Sequence, residues 1–550
     1  MGMHILGQAA KVVAGVAAAL ICFSCVEKNH EIGDSYLAIN QQYDLYTAEI
    51  PITDMRMDFA DSLSGFSMYR FTFGSVRDKD YGLTTRSTAF TLVPISDTLD
   101  FGTNPVFRQF HFAAPSDSIS CNDPAQASIL QNVNVYALKR TLNLSSSEPK
   151  IEYDPVRVTD GIPIYNGSDS LSFNFTKEFG EQYMKINYKT DLDTITSYTK
   201  KFPGIYITTE TPIGNGGRIN MFKLPMNVSG STIYGSFAEL KFTATYTRTS
   251  GTQERVDTSF LFCLGPMDIY DFGGVSSTTV SEYPQIAYDL TTHETEAMVG
   301  VATDKVYFEG GRGLKPIIKA EALRSGLIEE VSKHGDPAKT VVTRATLCLP
   351  FEFPEDYADL EYFPTIMSPT SRIVYDNGRI SFAGLTDASV SSENQGDINR
   401  SLGRYAPDIS HHAQQLMHLG NLDKIENYDI WMLPLRNEVI TESTASSETS
   451  DLASLYQQLA YQSYYNNMYG GGYGYGGYGG YGGYGYNSYT NYYNYMMMAQ
   501  YYASASSGSS ATTQTMVDFH RFYKGYLNGP GATTGKKPYI KIVYAIPKED

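Results

Sequence analysis

Apolar and polar side chains alternate in many short segments of this chain, and that alternation leaves few folds open. In SFAELKFTATYTRT the side chains of Ala238, Leu240, Phe242, Ala244 and Tyr246 share one face of an extended strand, with mostly polar residues on the other face. Successive side chains of a strand point to opposite sides of the sheet. The segment therefore predicts a strand that is buried on one face.

The same alternation returns elsewhere along the chain, for example in NVNVYALKR. Short strands separated by turn residues such as Gly, Pro, Asn and Asp are typical of sandwiches, not of parallel α/β sheets. We expect a mainly all-β protein with two jelly-roll-like β-sandwich domains and a few short helices. In two further segments, TRATLCLPFEF and PYIKIVYAI, the residues in step are Ala345, Leu347, Leu349, Phe351 and Phe353, and Ile540, Ile542, Tyr544 and Ile546.

The composition agrees with a β-rich fold and disfavours one class of partner. Tyrosine (44 residues) and phenylalanine (27 residues) are abundant, and aromatic side chains favour strands. The formal net charge of −17 creates a field that repels phosphate backbones. We therefore expect no nucleic-acid partner. The length of 550 residues suggests two domains.

Two segments have helical periodicity. In LKPIIKAEALRSGLIEEVSK the apolar residues from Ile317 to Val331 recur every three or four positions, and Pro316 fits a first helical turn. PDISHHAQQLMHLGN begins with Asp and Ser residues that suit a helix cap and closes at a glycine. We expect both helices to pack against a sheet.

The amino terminus predicts secretion and lipid attachment. Lys11 precedes the apolar run VVAGVAAALICFSC, which is too short to span a bilayer as a helix. Ser24 stands directly before Cys25, as in a relaxed bacterial lipobox, and polar residues follow. We predict a signal peptide over residues 1–24 and acylation of Cys25, because several acyl chains give stable anchoring. The predicted location is the outer membrane, on its periplasmic face or the cell surface. The alternative is an unmodified cysteine near a plain cleavage site.

Three later cysteines, Cys121, Cys263 and Cys348, cannot form a complete disulfide framework because their number is odd. Cys263 and Cys348 lie in apolar, strand-like runs and are expected to act as small core residues. These three cysteines form no CxxC motif, and no Cys/His cluster suggests a zinc site. We therefore expect no metal site, no cofactor and no catalytic residue.

The composition changes near Glu442, where Ser, Thr and Ala residues precede a tract of Gly, Tyr and Met that includes GGGYGYGGYGGYGGYGY. We expect one disordered insertion over residues 444–515, because the cost of closing a loop grows slowly with its length. Arginine is absent from the tract, which argues against nucleic-acid binding. Tyrosine and glycine together suit adhesion, glycan stacking or partner capture, and a functionally tolerated insertion is the alternative.

The expected domain organisation follows from these boundaries. After the signal peptide we expect a tether over residues 25–45 and an N-terminal β-sandwich over residues 46–290. A C-terminal β-sandwich over residues 291–550 is then interrupted by the insertion.

The predicted lipobox and six segments carry a family resemblance: IGDSYL, FTFGSVRDKDYGLTTRSTAFTLVP, KKFPGIYITTETPIGNGGRI, VYFEGGRGLKPIIKAEAL, VVTRATLCLPFEF and the terminal KPYIKIVYA. They resemble Bacteroidota envelope lipoproteins of a domain-of-unknown-function class, the DUF forty-two-seventy family. The resemblance covers most of the chain outside residues 444–515. It implies a β-rich, envelope-anchored protein of unknown activity and supplies no catalytic residues. Glu309 stands where the family tends to have glutamine.

Several motifs look like ligand sites without meeting the required spacing. GPGATTGKK lacks the order of a phosphate loop, and GNGGRI and GGRG do not open a βαβ helix, so we expect glycine turns. His411 and His418 lie two helical turns apart, too far for one tetrahedral metal ion, and we expect them and His412 to be packed or solvated. RDKDYG and SSENQGDINR do not match an EF-hand loop and predict surface turns.

We expect a non-enzymatic envelope lipoprotein, a binding or structural component whose partner is an outer-membrane protein or an extracellular glycan. The alternative is a surface polysaccharide-acting hydrolase or a glycan-binding protein, because a catalytic pair of carboxylates cannot be recognised from linear spacing.

Overall fold

The computed structural model describes residues 42–548 except 64, 68–69, 97, 120–128, 143–149, 168–169, 230–231, 266–286, 294–297, 377–379, 386–393, 441–511, 519 and 534. Strands account for 51% of the structure and helices for 13%, and the sheets are antiparallel. The predicted all-β sandwich class is confirmed. Cys25, Cys121, the predicted signal peptide and most of the predicted insertion lie outside the described residues.

The strands up to residue 293 are β1 (Tyr43–Pro51), β2 (Met55–Phe59), β3 (Phe66–Ser67), β4 (Arg70–Asp78), β5 (Gly82–Phe90), β6 (Leu92–Pro94), β7 (Thr103–Ile119), β8 (Gln131–Asn132), β9 (Asn134–Leu138), β10 (Tyr153–Arg157), β11 (Ile164–Tyr165), β12 (Ser170–Asn174), β13 (Ile205–Thr208), β14 (Gly216–Lys223), β15 (Asn227–Ser229), β16 (Thr232–Tyr234), β17 (Phe237–Thr247), β18 (Gln253–Leu264) and β19 (Ala287–His293).

The later strands are β20 (Gly300–Val301), β21 (Lys305–Glu309), β22 (Leu314–Ile318), β23 (Val341–Pro350), β24 (Ile366–Val374), β25 (Ile380–Gly384), β26 (Ile398–Asn399), β27 (Arg404–Tyr405), β28 (Ile430–Ile440), β29 (Thr512–Val517), β30 (Lys524–Asn528) and β31 (Tyr539–Pro547). The helices are α1 (Lys177–Tyr183), α2 (Ile195–Lys201), α3 (Ala320–Val331) and α4 (Ser410–Met417), and single 3₁₀ turns span Pro337–Lys339, Tyr357–Tyr362 and Ile425–Tyr428.

Three large sheets form the body of the protein. The largest has the order β10-β9-β13-β5-β4-β14-β7-β17-β18-β6, with β12 on β7 and β19 on β5 and β3. A second has the order β1-β31-β23-β27-β26, and a third the order β20-β2-β22-β28-β24-β25 with β29 on β28. Two-stranded ribbons (β11-β8, β15-β16 and β21-β30) complete the described part of the fold.

The fold has two units, and the sequence of one is inserted in the sequence of the other. The inserted unit contains strands β3 to β19, and the other unit combines β1 and β2 with β20 to β31. Strand β1 pairs with β31, so that Tyr43 lies opposite Pro547, and β2 pairs with β22. The described part of the chain therefore begins among the C-terminal strands, forms the largest sheet with strands from β3 to β19, and then returns to the C-terminal strands. Residues 46–59 were expected in the N-terminal sandwich, but they pair with C-terminal strands. Alternation of apolar and polar residues indicates that a segment forms a strand. It does not indicate which distant strand the segment pairs with.

Two hydrophobic cores correspond to these two units. The first core, built from residues between 71 and 290, is rich in stacked aromatic rings. The second core combines strands from both ends of the chain with helices α3 and α4 and is mainly aliphatic. Fully buried examples are Phe71, Phe73, Phe90, Phe110 and Phe112 in the first core, and Met55, Leu327, Leu347, Ile540 and Ile542 in the second.

The first predicted helix begins later than expected. Leu314–Ile318 is strand β22, and its Pro316 lies opposite Met57 of β2, so the prediction that Pro316 opens a helix is wrong. The β-branched pair Ile317 and Ile318 favours the extended backbone. Helix α3 starts at Ala320, whose N–H donates to Oδ1 of Asp429 at 2.8 Å. Beyond that point the predicted apolar face is buried as expected.

The predicted alternation is confirmed in β17, β23 and β31, where the in-step residues up to Phe351 are buried, apart from Tyr246, which is partly buried. Phe353 is the exception, because β23 ends at Pro350 and this ring is 49% exposed. At the other predicted boundary, Thr512 of β29 lies opposite Ile440 of β28. Residues 512–515, which were expected in the insertion, therefore lie in a sheet.

Candidate functional site

A group of charged side chains is buried where the two units meet. Charged residues are almost never fully buried unless they are paired, and these side chains come from strands and turns of both units. None is more than 8% exposed as a residue. We call this group the interface cluster, and its members are Arg86, Asp289, Glu309, Arg312, Lys315, Arg436, Asp518 and His520.

The GGRG turn between β21 and β22 brings three members of the cluster together. Gly311 has a φ of +58°, which L side chains rarely adopt. A Cβ on Gly310 would lie 2.1 Å from the carbonyl oxygen of Arg521. Only a tight glycine turn fits this space, and it places Glu309, Arg312 and Lys315 within a few residues of one another.

Glu309 and Lys315 are satisfied mainly by the backbone around them. Nζ of Lys315 donates to the carbonyl oxygens of Glu309 at 2.8 Å and Gly313 at 2.9 Å. The Glu309 carboxylate accepts from the hydroxyl of Thr84 at 3.0 Å and from the N–H of Leu314 at 3.2 Å. Burial raises the pKa of Glu309 and lowers the pKa of Lys315. Because Thr84 belongs to β5, Glu309 also connects the two units.

Two guanidinium groups cross the boundary between the units. Nη1 of Arg86, on β5, donates to the carbonyl oxygen of His520 at 2.6 Å, and its Nη2 donates to that of Arg521 at 3.2 Å. In the opposite direction, Nη1 of Arg312 donates to the hydroxyl oxygen of Tyr288 at 3.0 Å. Hydrogen bonds from charged donors are stronger than neutral ones, so these contacts hold the units together.

Asp289 and Asp518 are both buried carboxylates, yet their environments shift the pKa in opposite directions. Oδ2 of Asp289 accepts from the N–H and the hydroxyl of Thr72 at 2.9 and 2.7 Å, and burial raises the pKa of Asp289 to about 7. Burial also opposes the charge of Asp518, but Arg436, with Nε 4.0 Å from Oδ2, and Arg521 outweigh it and hold the pKa of Asp518 at about 2.

His520 lies between these two carboxylates. Its ring Nε2 is 3.9 Å from Oδ2 of Asp289, and its backbone N–H donates to Oδ1 of Asp518 at 3.0 Å. Burial and the neighbouring Arg436 lower the pKa of His520 well below its usual range. The ring is therefore neutral at pH 7 and adds no charge to the cluster.

The cluster has the shifted pKa values that often mark active sites, but its geometry is that of a joint. Its charged atoms face one another, the backbone and the opposite unit, and a substrate would have to separate the units to reach them. Shifted pKa values also occur in structural ion-pair networks. We conclude that the chemistry of this cluster serves the attachment of one unit to the other.

The structure places the predicted histidines on both sides of helix α4. His412 is buried, and burial lowers its pKa to about 4. His411 and His418 line an open groove together with Lys339 and Gln414. Within the described ranges, no group of three or more His, Cys, Asp or Glu side chains is arranged to hold a metal ion.

The other motifs occupy turns or strand ends. RDKDYG forms the turn of the β4–β5 hairpin, where the Asp78 carboxylate accepts from the N–H groups of Asp80 and Tyr81, so the predicted surface turn is confirmed. GNGGRI leads into β14, and GPGATTGKK joins β30 to β31. Cys263 and Cys348 are free thiols that pack in strands, and burial raises the pKa of Cys263 to about 12.

The interface cluster was missed at the level of sequence, although a signal was present. Three charged residues, Glu309, Arg312 and Lys315, interrupt the apolar residues of the segment VYFEGGRGLKPII. A charge inside a buried run needs a partner. Such partners could not be found from the sequence, because the contacts of the cluster join distant residues. Arg86 and His520, for example, are separated by 434 residues.

Comparisons with protein-family models, curated proteins and solved structures gave no match. The resemblance to Bacteroidota envelope lipoproteins therefore stays a prediction. No helix in the described ranges is both long enough and apolar enough to cross a bilayer.

Proposed function

We propose that this protein is a non-enzymatic component of the bacterial outer membrane, held there by acyl chains on Cys25, with a binding or structural role. The sequence before residue 42 supports the anchor, since a short apolar run leads to a small residue and a cysteine. Acylation would place the β-rich body close to the membrane and leave its surface available to an envelope protein or a glycan.

The observation that carries the non-enzymatic part of the proposal is the burial of the interface cluster. Acid–base catalysis requires an ionisable group within hydrogen-bond reach of the substrate. Buried acids and bases with shifted pKa values, including Asp289, Lys315 and Asp518, lie instead inside the joint between the units. Their hydrogen bonds stabilise the attachment of the units.

The anchor is tested by Cys25→Ala. Cells expressing the wild-type or variant protein are extracted with a detergent that separates into two phases. We expect the wild type in the detergent phase and the variant in the aqueous phase, because the acylated thiol is lost. Cys22→Ala is the matched control, since Cys22 lies in the same apolar run but follows the bulky Ile21. A Cys25→Ala protein that stays in the detergent phase would refute the anchor.

The binding role is tested by affinity capture from intact cells, with the wild type and a variant that lacks residues 446–511. We expect an envelope protein or a glycan to be captured by the wild type. Capture that needs the Gly/Tyr tract would assign binding to that tract. Turnover of envelope glycans by the purified protein would overturn the non-enzymatic proposal and favour the hydrolase alternative.

One surface favours glycan binding as a second candidate function. Phe353 is 49% exposed and Tyr357 is 63% exposed, and their ring centroids lie 6.5 Å apart with planes inclined by 20°. Leu402, also exposed, lies in the turn between β26 and β27. Contiguous exposed apolar side chains mark interaction sites more often than scattered ones do. Two nearly parallel rings suit the apolar face of a sugar.

Glycan binding at this surface is tested by titrating envelope polysaccharide into the wild type, Phe353→Ala and Tyr357→Ala. We expect both substitutions to weaken binding. Tyr234→Ala is the control, because Tyr234 is 58% exposed on the separate β15–β16 ribbon. Equal affinity in all four proteins would exclude this site.

A further inference from the structure

Strands β1, β31 and β23 lie side by side at one edge of the second sheet, with β1 outermost. Their inner face belongs to the second core, in which Ile540, Ile542 and Tyr544 are fully buried. Successive side chains of a strand point to opposite faces of the sheet. The residues between these three therefore point outward, away from the core.

The register of the three strands brings six apolar residues together on this outer face. Tyr43 lies opposite Pro547, and in the next outward-facing row Ala545 lies between Leu45 and Val341. Directly opposed residues of antiparallel strands have Cβ atoms about 4.5–5.5 Å apart, so these rows form one contiguous surface. We call this surface the edge patch, and its members are Tyr43, Leu45, Val341, Val543, Ala545 and Pro547.

Three members of the edge patch are exposed to solvent although they are apolar. Leu45 is 69% exposed, Tyr43 is 51% exposed and Val341 is 46% exposed, while Ala545, which lies between two of them, is buried. Contiguous exposed apolar side chains mark a contact with another protein or with a membrane more often than scattered ones do. The position of the edge patch along the chain indicates which of the two it contacts.

The edge patch lies where the chain leads toward the predicted lipid anchor. The backbone N–H of Lys548 donates to the carbonyl oxygen of Gln42 at 2.9 Å, which holds residue 42 at the end of the sheet, next to Tyr43. Only residues 26–41 separate this point from Cys25, and even a fully extended chain of that length spans at most about 60 Å. Tethering over such distances gives effective concentrations of roughly millimolar, so a modest apolar surface is sufficient for docking.

The charges beside the edge patch do not oppose contact with lipid headgroups. The whole chain has a formal net charge of −17, but three carboxylates near the patch each have a cation beside them. Long cationic side chains also lay their stems along apolar surface and place their charge among the headgroups. The three pairs are Asp44 with Lys548, Glu49 with Lys541, and Asp408 with Arg344.

We propose that the edge patch docks on the bilayer that holds the anchor, with Tyr43, Leu45 and Val341 entering the boundary between headgroups and acyl chains. Apolar side chains are stabilised there because they leave water, and tyrosine suits this depth because its ring is apolar and its hydroxyl is polar. The inference rests on the proposed lipid anchor and adds an orientation to it. The body of the protein lies with the β1 edge of its second sheet against the membrane.

The test measures whether a tryptophan placed in the edge patch enters the acyl region of a vesicle. The chain from residue 26 onward, which retains every described residue, carries an amino-terminal histidine tag that binds a nickel-chelating lipid. Docking is then measured whether or not Cys25 is acylated in cells. The vesicles contain phosphatidylethanolamine and phosphatidylglycerol, with or without bromine on the acyl chains. We expect the emission that Leu45→Trp adds to that of Trp431 to fall about twofold or more in brominated vesicles, because surface-lying apolar faces enter about 5–10 Å deep.

Ile213→Trp is the matched control, because Ile213 is fully exposed in the loop between β13 and β14 of the inserted unit. Its added emission should be the same in both kinds of vesicle. Combining Leu45→Trp with Val341→Glu should restore the emission, because a carboxylate opposes entry into an apolar environment. Melting curves check that every variant is folded.

Equal emission of Leu45→Trp in both kinds of vesicle would overturn the docking and leave the anchor intact, since the anchor is tested separately by Cys25→Ala. Quenching of Ile213→Trp as strong as that of Leu45→Trp would also overturn it, because the contact would then lack the proposed orientation. In the absence of vesicles, Leu45→Trp should be quenched by acrylamide. Protection from acrylamide would show that residues 26–41 or a second copy cover the patch, and would equally overturn the inference.

Discussion

The two hydrophobic cores of this protein are filled by different kinds of side chain. The first is assembled from one continuous stretch of chain and is filled by aromatic rings, such as Phe90 and Phe112 with centroids 5.8 Å apart. The second draws its strands from both ends of the chain and is filled by aliphatic residues and two helices. The first core therefore has shorter-range contacts than the second, and the interface cluster joins two parts that differ in how they assemble.

The comparison indicates that a cluster of buried charged residues can connect two units whose cores differ in composition. Apolar contacts across such a boundary would be non-directional. Arg86 and Arg312 instead need partners at defined positions in the opposite unit, so the relative placement of the units is specified. The sequence supplies a convenient reporter, since its one tryptophan, Trp431, is buried among the C-terminal strands.

The largest expected effect comes from Phe110→Ala in the first core. Phe110 is fully buried. Its ring contacts those of Phe175, Phe179, Tyr183 and Phe262. Removing a buried aromatic ring costs about 3–5 kcal/mol of unfolding free energy. If the units unfold together, the urea midpoint reported by Trp431 fluorescence falls by the corresponding amount, although Trp431 lies in the other unit.

Leu347→Ala is the matched substitution in the second core, where Leu347 is fully buried, and should cost about 2–5 kcal/mol. Its effect must appear in Trp431 fluorescence whether or not the units are coupled. A Phe110→Ala protein with an unchanged Trp431 midpoint and a shifted circular-dichroism midpoint would show that the cores unfold independently.

The next largest effect is expected for Arg86→Gln, which shortens the side chain that donates to His520 and Arg521. The substitution removes charge-assisted hydrogen bonds and leaves the buried carbonyl oxygens that accepted them without a donor. We expect the unfolding free energy to fall by about 3 kcal/mol. More diagnostic is the shape of unfolding, because the transitions seen by Trp431 fluorescence and by circular dichroism should separate. Arg108→Gln, on β7 and bonded to Thr243 within the first unit, should leave them coincident.

The two buried carboxylates predict opposite dependence of stability on pH. The pKa of Asp518, about 2, is below the value of about 3.9 in an unfolded chain. Its contribution is complete above about pH 4 and is lost as the pH falls toward 2, an effect of about 2–3 kcal/mol. The pKa of Asp289, about 7, is raised, so its contribution is complete below about pH 4 and is lost as the pH rises to 7.

Urea unfolding between pH 2 and pH 8 measures both effects. Asp518→Asn should flatten the acid side of the stability curve, and Asp289→Asn should flatten the side between about pH 4 and pH 7. Asp376, an exposed carboxylate that pairs with Lys424, serves as control through Asp376→Asn. Identical curves for Asp289→Asn and the wild type would mean that Asp289 is ionised in the fold.

The smallest effect is expected on deleting residues 446–511. Ile440 and Thr512 are already opposite each other in the β28–β29 ladder, so a short turn can join these strands. Shortening the connection removes loop-closure entropy and changes the unfolding free energy by at most about 2 kcal/mol. Loss of a cooperative Trp431 transition would show that the removed residues belong to the second core.

Much of the strand content could be predicted because alternation is a local property, as in β17 and β31. The partners of these strands could not, since Tyr43 meets Pro547 only in the folded chain. The start of α3 was misplaced because the apolar residues of β22 continue into the helix and give one unbroken pattern. The histidines of α4 were noticed by their spacing, but the groove that two of them share with Lys339 could not be predicted, because Lys339 comes from another element.

The pairing of β1 with β31 has a consequence for how the protein is made. Strand β1 is synthesised long before its partner β31, so the sheet that contains both stays open until β31 has been made. The inserted aromatic unit has all its strands much earlier and can fold first, as domains generally do during synthesis. A chain that stops before Tyr539 would thus contain one folded unit and one unit that lacks the strand between β1 and β23.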